Sequence, residues 1–151
     1  MTQPELLADL LTVDTALLGL RAPHKAALLA ELARSANVAG VPAETITFAL
    51  MARETLGSTG FGQGVAVPHA RLAGLNRIIC RLAVLTKPVA YDAVDGAPVD
   101  IVFLLLSPAQ AAADYLATLA AASRRLRRPD SVAALRKATT PAAALAAFLA
   151  T

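Results

Sequence analysis

Cysteine occurs once in these 151 residues, tryptophan not at all, and aromatic side chains make up only 4% of the chain. A lone thiol closes no intramolecular disulfide, which excludes a cross-linked secreted scaffold. Cys80 sits in Ile78-Ile79-Cys80-Arg81-Leu82 without a histidine or second thiol at ligand spacing, so it is read as core filler and no metal site is expected. Histidine is nearly as scarce: His24 follows Pro23 at a helix start, with no acidic partner nearby, and is read as solvent-exposed. The few aromatics do not interleave with Arg124-Arg125-Leu126-Arg127-Arg128, so nucleic-acid binding is not expected. Those arginines suit the end of a helix, where cations favour the dipole. Long apolar runs are missing as well. Mean hydropathy is +0.56, yet no stretch approaches the ~18 residues of a spanning helix. The opening Met1-Thr2-Gln3-Pro4-Glu5-Leu6-Leu7-Ala8-Asp9 has acids where a secretory signal would have bases. The expectation is a soluble, cytoplasmic protein without membrane insertion.

Hydrophobic residues make up 56% of the chain, charged residues 17%, and the net charge is +3. Disorder is excluded, and the length suits one domain spanning 1–151. Alanine and leucine supply roughly two-fifths of the residues, a helix-forming background. Helices are expected at Pro4–Leu11, where Thr2 would cap and Pro4 suits the first turn, at Pro23–Asn37 and at Pro42–Leu56. In the second, Leu28, Leu29, Leu32, Ala33 and Ala36 fall on one stripe; in the third, Ile46, Ala49, Leu50 and Arg53 do. A strand is expected at Ala16–Leu20. The middle changes period: Val65–Val67, Ile78–Leu85 and Val99–Leu106 are short runs rich in Val, Ile and Leu, and the last hardly alternates, as a strand covered on both faces would. Helical spacing returns after Pro108, with Leu116, Leu119, Ser123 and Leu126, then in Ser131–Ala138 and Pro141–Ala150. The order of helices, sheet, helices predicts a single α/β domain whose mixed sheet is flanked by helices on both sides.

Composition breaks at Arg53-Glu54-Thr55-Leu56-Gly57-Ser58-Thr59-Gly60-Phe61-Gly62-Gln63-Gly64-Val65-Ala66-Val67-Pro68-His69, which holds half of the eight glycines. Gly57, Gly60, Gly62 and Gly64, with the hydroxyls of Ser58 and Thr59, could present donors to an anion such as phosphate; a plain loop is the other reading. The segment matches neither the Walker loop nor the dinucleotide fingerprint, since helix precedes it and strand follows. Arg53 lies at the edge of an apolar stripe in a last helical turn and calls for an anionic partner, either Glu54 or a phosphate. His69 comes after a strand and a proline, at the strand's end, and is either a nucleophilic imidazole or a surface histidine in a turn. A hydrolase pairing Ser58 with His69 has neither the nucleophile elbow nor a placed acid.

These residues resemble the phosphorylation-site signature of the fructose/mannitol-type IIA domains of the bacterial phosphotransferase system. Lys87-Pro88-Val89-Ala90-Tyr91-Asp92-Ala93-Val94-Asp95-Gly96-Ala97-Pro98-Val99-Asp100, followed by Ile101–Pro108, is similar to that family's second block and most like its nitrogen-regulatory branch. The resemblance implies a phosphoacceptor at His69, phosphate stabilisation by Arg53, support from Glu54, no cofactor, and a phosphorylated HPr-like carrier as partner. It departs from the family at Ala113-Asp114-Tyr115-Leu116, where Tyr115 stands in place of a second histidine. A phenol donates a hydrogen bond but carries no positive charge, and a half-buried aromatic packing on the sheet is the alternative reading of Tyr115.

The leading expectation is a phosphoryl carrier and regulator whose phosphorylated and free forms bind different partners. With no transporter domain on the chain, regulation is expected over sugar uptake. Two alternatives remain: a stand-alone sugar-specific IIA component passing phosphate to a transporter IIB domain, and a IIA-like binding module without phosphotransfer.

Overall fold

The computed structural model describes residues 3–150. Helix α1 (Gln3–Leu10) and a 3-10 turn (Val13–Thr15) lead into β1 (Ala16–Leu20), followed by α2 (Lys25–Ala36) and α3 (Ala43–Glu54). Strands β2 (Gly60–Gly62), β3 (Val65–Ala66), β4 (His69–Leu72), β5 (Ile79–Val89) and β6 (Val99–Pro108) come next, then α4 (Ala112–Leu126), α5 (Pro129–Lys137) and α6 (Pro141–Leu149). The expected Thr2 cap lies outside the described residues.

The six strands form one mixed sheet in the order β1-β5-β6-β3-β2, with β4 joined to β6 beyond β3. The pairings of β6 with β3 and β4 are parallel and that with β5 is antiparallel. The apolar run of β6 is explained by its position. Val102, Leu104 and Leu106 face a core shared with α2 and α3, whereas Ile101, Phe103 and Leu105 face a second core under α4, α5 and α6. Because alternate residues enter different cores, none of these six is exposed to water and no alternation survives in the sequence. Each such side chain contributes roughly 1.5–3 kcal/mol of burial.

Helix ends follow local chemistry. His24 is the exposed N-cap of α2, and its Nδ1 accepts from Ala27 N at 3.1 Å; Asn37 ends that helix in the left-handed region at φ 47°. Arg125, in the middle of the arginine cluster, is buried and donates through Nη1 to the carbonyls of Phe148 and Ala150, closing the end of α6. Its neighbour Arg127 lies 5.1 Å from the Phe61 ring centre.

Two expectations need correction. The glycine-rich segment contains strand β2, and His69 opens a strand of its own, β4, instead of sitting in a turn at the end of the preceding one. Both strands are short, and β2 is two-thirds glycine, so neither shows the β-branched alternation by which strands are recognised.

Candidate functional site

Strand β4 is set by its pairing with β6: Leu105 N donates to Pro68 O at 3.0 Å, and His69 is in register with Leu105. Pro68 has no N–H to give, and its carbonyl anchors the chain just before His69. The imidazole is buried, with Nδ1 2.7 Å from Val67 O. A carbonyl only accepts, so Nδ1 carries the proton and Nε2 carries the lone pair. Nε2 has no hydrogen-bond partner among the described residues. Every buried side-chain nitrogen and oxygen there has one, so Nε2 opens to solvent. Burial lowers the His69 pKa below its ordinary 6.5; the Val67 carbonyl opposes the shift, Arg53 adds to it, and Glu54 opposes it. The ring is therefore mainly neutral at pH 7, the form a nucleophile requires.

Arg53 and Glu54 are adjacent at the end of α3 yet have separate roles. The Glu54 carboxylate is buried: Thr59 donates to it from both its backbone N, at 3.1 Å, and its hydroxyl, and Lys25 Nζ lies 2.8 Å away. The single Thr59 hydroxyl proton goes to Glu54, so the Tyr91 hydroxyl, 3.0 Å from Thr59 Oγ1, donates to Thr59. Burial and the nearby Glu54 charge raise the Tyr91 pKa, which keeps that phenol protonated. The Lys25 ammonium also caps the Tyr91 ring, 4.4 Å from its centre. Glu54 is thus engaged away from Arg53. Arg53 donates to Gly57 O at 3.0 Å, and no carboxylate among the described residues lies within ion-pair distance of it. Of the two partners the sequence left open, the structure removes Glu54.

The glycine segment is less open than an anion cradle. The N–H groups of Gly57, Thr59, Gly60 and Gln63 donate to Glu54 O, Glu54 Oε1, Ser58 Oγ and Asp95 Oδ2. Gly62, Gln63 and Gly64 all have positive φ and turn the chain between β2 and β3, where Arg136 bonds both Gln63 O and Asp100. Gly60 is needed for space, since a Cβ there would lie 2.9 Å from that of Ala93. The expected phosphate loop is corrected to that extent: these glycines form a packed hairpin, and the donors named are already committed to the protein. Ser58 Oγ donates to Tyr91 O at 3.2 Å, and no bond joins it to His69.

Tyr115 enters the site from the opposite helical layer. Its ring centre is 5.8 Å from that of His69, at an interplanar angle of 53°. Burial raises the Tyr115 pKa against the pull of Arg53 and Arg71, so the phenol keeps its proton as a donor. Arg71 was not singled out from the sequence. Its guanidinium lies 5.9 Å from the Tyr115 ring centre and donates to Ala109 O. The signal was the two-residue spacing from His69, which is informative only once 69–72 is known to be a strand.

A cleft of about 920 Å³ opens elsewhere, between the end of α2 and the start of β5, where Arg81 donates to the carbonyls of Ser35, Ala36 and Cys80. Cys80 there is buried, with its thiol pushed up to about 12, and is no nucleophile. No described helix is long and apolar enough to cross a membrane.

The family model described as phosphoenolpyruvate-dependent sugar phosphotransferase system, EIIA 2, matches residues 9–150. A nitrogen regulatory protein of Bradyrhizobium diazoefficiens is 40% identical over 131 residues, 86% of each chain. One from Pseudomonas aeruginosa is 48% identical over 98 residues, 65% of this chain and 64% of that protein. The crystal structure of the nitrogen regulatory protein IIA-Ntr from Neisseria meningitidis matches with a TM-score of 0.89 at 29% identity, covering 95% of this chain and 99% of that one. Escherichia coli IIA mannitol, at 18% identity and a TM-score of 0.74, covers 91% of this chain and 98% of that one and shares the fold.

Proposed function

The chain belongs to the fructose/mannitol-type EIIA family of the phosphoenolpyruvate-dependent sugar phosphotransferase system, and from that premise we propose that it is a cytoplasmic phosphoryl carrier of the nitrogen-regulatory kind, phosphorylated on His69 by an HPr-like carrier. The observation that carries the reading is the state of one ring: Nδ1–H is held by Val67 O while Nε2, unprotonated, reaches solvent beside an arginine without a carboxylate. In the transfer, the Nε2 lone pair forms the new bond to phosphorus. The bond from phosphorus to the donor breaks, and its electron pair returns to the donor. Arg53 offsets charge on the phosphoryl oxygens, and Glu54, fixed by Lys25 and Thr59, holds the end of α3 in place.

A donor that is itself a protein needs a surface to dock on. Leu56 and Leu116 are exposed large apolar side chains, each one residue from a site residue, Gly57 or Tyr115. Similarity to nitrogen regulatory proteins over most of the chain favours partner regulation over sugar delivery as the output. Phosphorylation adds about −1.5 to −2 charges beside the arginines, enough to alter which partner binds.

The test is incubation with a phosphorylated HPr-like carrier and, separately, with phosphoramidate, scored by acid-labile label and by phosphorus NMR. The expected result is one label, on Nε2 of His69, that disappears in His69→Ala. A correctly folded wild type left unlabelled by both donors would instead leave a binding module without phosphotransfer.

A further inference from the structure

We infer that Arg71 and Tyr115 act together as a second phosphoryl-binding arm, with Arg71 supplying the fixed positive charge that tyrosine at position 115 cannot carry. The inference rests on the phosphoacceptor reading of His69 and goes beyond it. Along β4, His69 and Arg71 are in register with Leu105 and Ser107 of β6, so both side chains point to the side of the sheet away from Ala70 and Leu72. Ala70 and Leu72 belong to the core under α2 and α3, which puts His69 and Arg71 on the α4 side. The Tyr115 ring bridges the two, 5.8 Å from the imidazole centre and 5.9 Å from the Arg71 guanidinium carbon.

Arg71 is exposed, forms no ion pair among the described residues, and commits one N–H direction to Ala109 O. A guanidinium has five N–H donors, so most remain free to turn toward an anion on the neighbouring ring. The charge of Arg53, at the end of α3, is felt by both His69 and Tyr115. Glu54 is the acid whose charge reaches His69, and Lys25 holds it. A phosphoryl group on Nε2 therefore meets Arg53 on one side, and the Tyr115 hydroxyl with Arg71 on the other. A guanidinium is a permanent charge, whereas an imidazole gains and loses its proton near neutral pH.

The test compares wild type, Arg71→Gln, Arg71→Lys and Tyr115→Phe for the rate of His69 labelling by phosphoramidate and the hydrolysis half-life of the phosphoprotein, between pH 6 and 8. Circular dichroism and thermal melts confirm that the folds match. Loss of one charge-assisted contact is expected to slow labelling and shorten the half-life about tenfold in Arg71→Gln, with partial recovery in Arg71→Lys. Combining Arg71→Gln with Tyr115→His is expected to restore transfer at pH 6 and lose it toward pH 8. Wild-type labelling on His69 together with unchanged kinetics in Arg71→Gln overturns the inference and leaves the phosphoacceptor reading standing. Absence of wild-type label on His69 removes both.

Discussion

At His69, one end of the ring is held and the opposite end is left free. The carbonyl of Val67 fixes Nδ1–H, while burial keeps the ring from taking a second proton. This has a measurable cost in acid. The folded pKa lies below the unfolded 6.5, so between those two values the unfolded chain binds more protons and stability falls as pH falls. The His69 contribution is complete above about pH 7.5 and lost progressively below 6.5, as pH drops through the folded value. Melting temperatures from pH 8 to 5 should show wild type losing more than His69→Gln over that interval; equal slopes would mean that the ring is not held neutral. The paired residue Glu54 makes a second case. Removing one partner of a mostly buried pair leaves Lys25 beside Tyr91 without its counter-charge, so Glu54→Ala should lose about 3 kcal/mol in urea unfolding. At this scale the sequence was legible where chemistry names a residue, as for His69, Arg53, Glu54 and Tyr115. It was silent on Lys25, Tyr91 and Arg71. Lys25 and Tyr91 reach the site only through tertiary contacts with α3 and the Thr59 turn, and Arg71 shows its orientation only once β4 is seen as a strand.

Helices were readable because their side chains repeat with a period, β5 and β6 because they are runs rich in Val, Ile and Leu, and β6 as a double-faced strand because it hardly alternates. Elements β2 and β4 escaped for a physical reason. A three-residue strand with glycine at both ends is specified by what surrounds it, here Tyr91 and Ala93 against Gly60 and Asp95 against Gly62. The glycine loop poses the same difficulty from the other side: glycines required for close packing look, in sequence, like glycines suited to a ligand. Gly60→Ala separates the two explanations. Its Cβ would press on Ala93 Cβ at 2.9 Å and Tyr91 Cδ1 at 3.0 Å, so overpacking of about 1–3 kcal/mol is expected. Because Tyr91 connects to Thr59 and Glu54, the strain should also slow labelling of His69. Wild-type stability in the Gly60→Ala protein would show that the hairpin yields without cost.

Across the whole molecule, the two helical layers share the sheet but have separate cores, one with α2 and α3 and the other with α4, α5 and α6. The candidate site draws on both: Arg53 lies in the last turn of α3, Tyr115 in the first turn of α4, and His69 and Arg71 on strand β4 of the sheet between them. Among the described residues, ring contacts join His69 and Arg71 to Tyr115, while Gly57 O, Val67 O and Ala109 O are the local acceptors for Arg53, His69 and Arg71. A phosphoryl group on Nε2 would give both layers a common partner, with two guanidinium groups drawn to one dianion. That would convert a local modification into a coupling between the end of α3 and the start of α4, the two surfaces that carry the exposed Leu56 and Leu116. Phosphorylated protein should therefore melt about 3 °C higher than the free form, the shift that corresponds to ~1 kcal/mol in a domain of this length. Amide exchange should slow at residues 52–57 and 111–116 together. Arg53→Gln should remove the protection at α3 and weaken it at α4. Slowing confined to β4 would mean that the phosphate is held by His69 alone, and that partner choice is set by charge without any change in how the layers are joined.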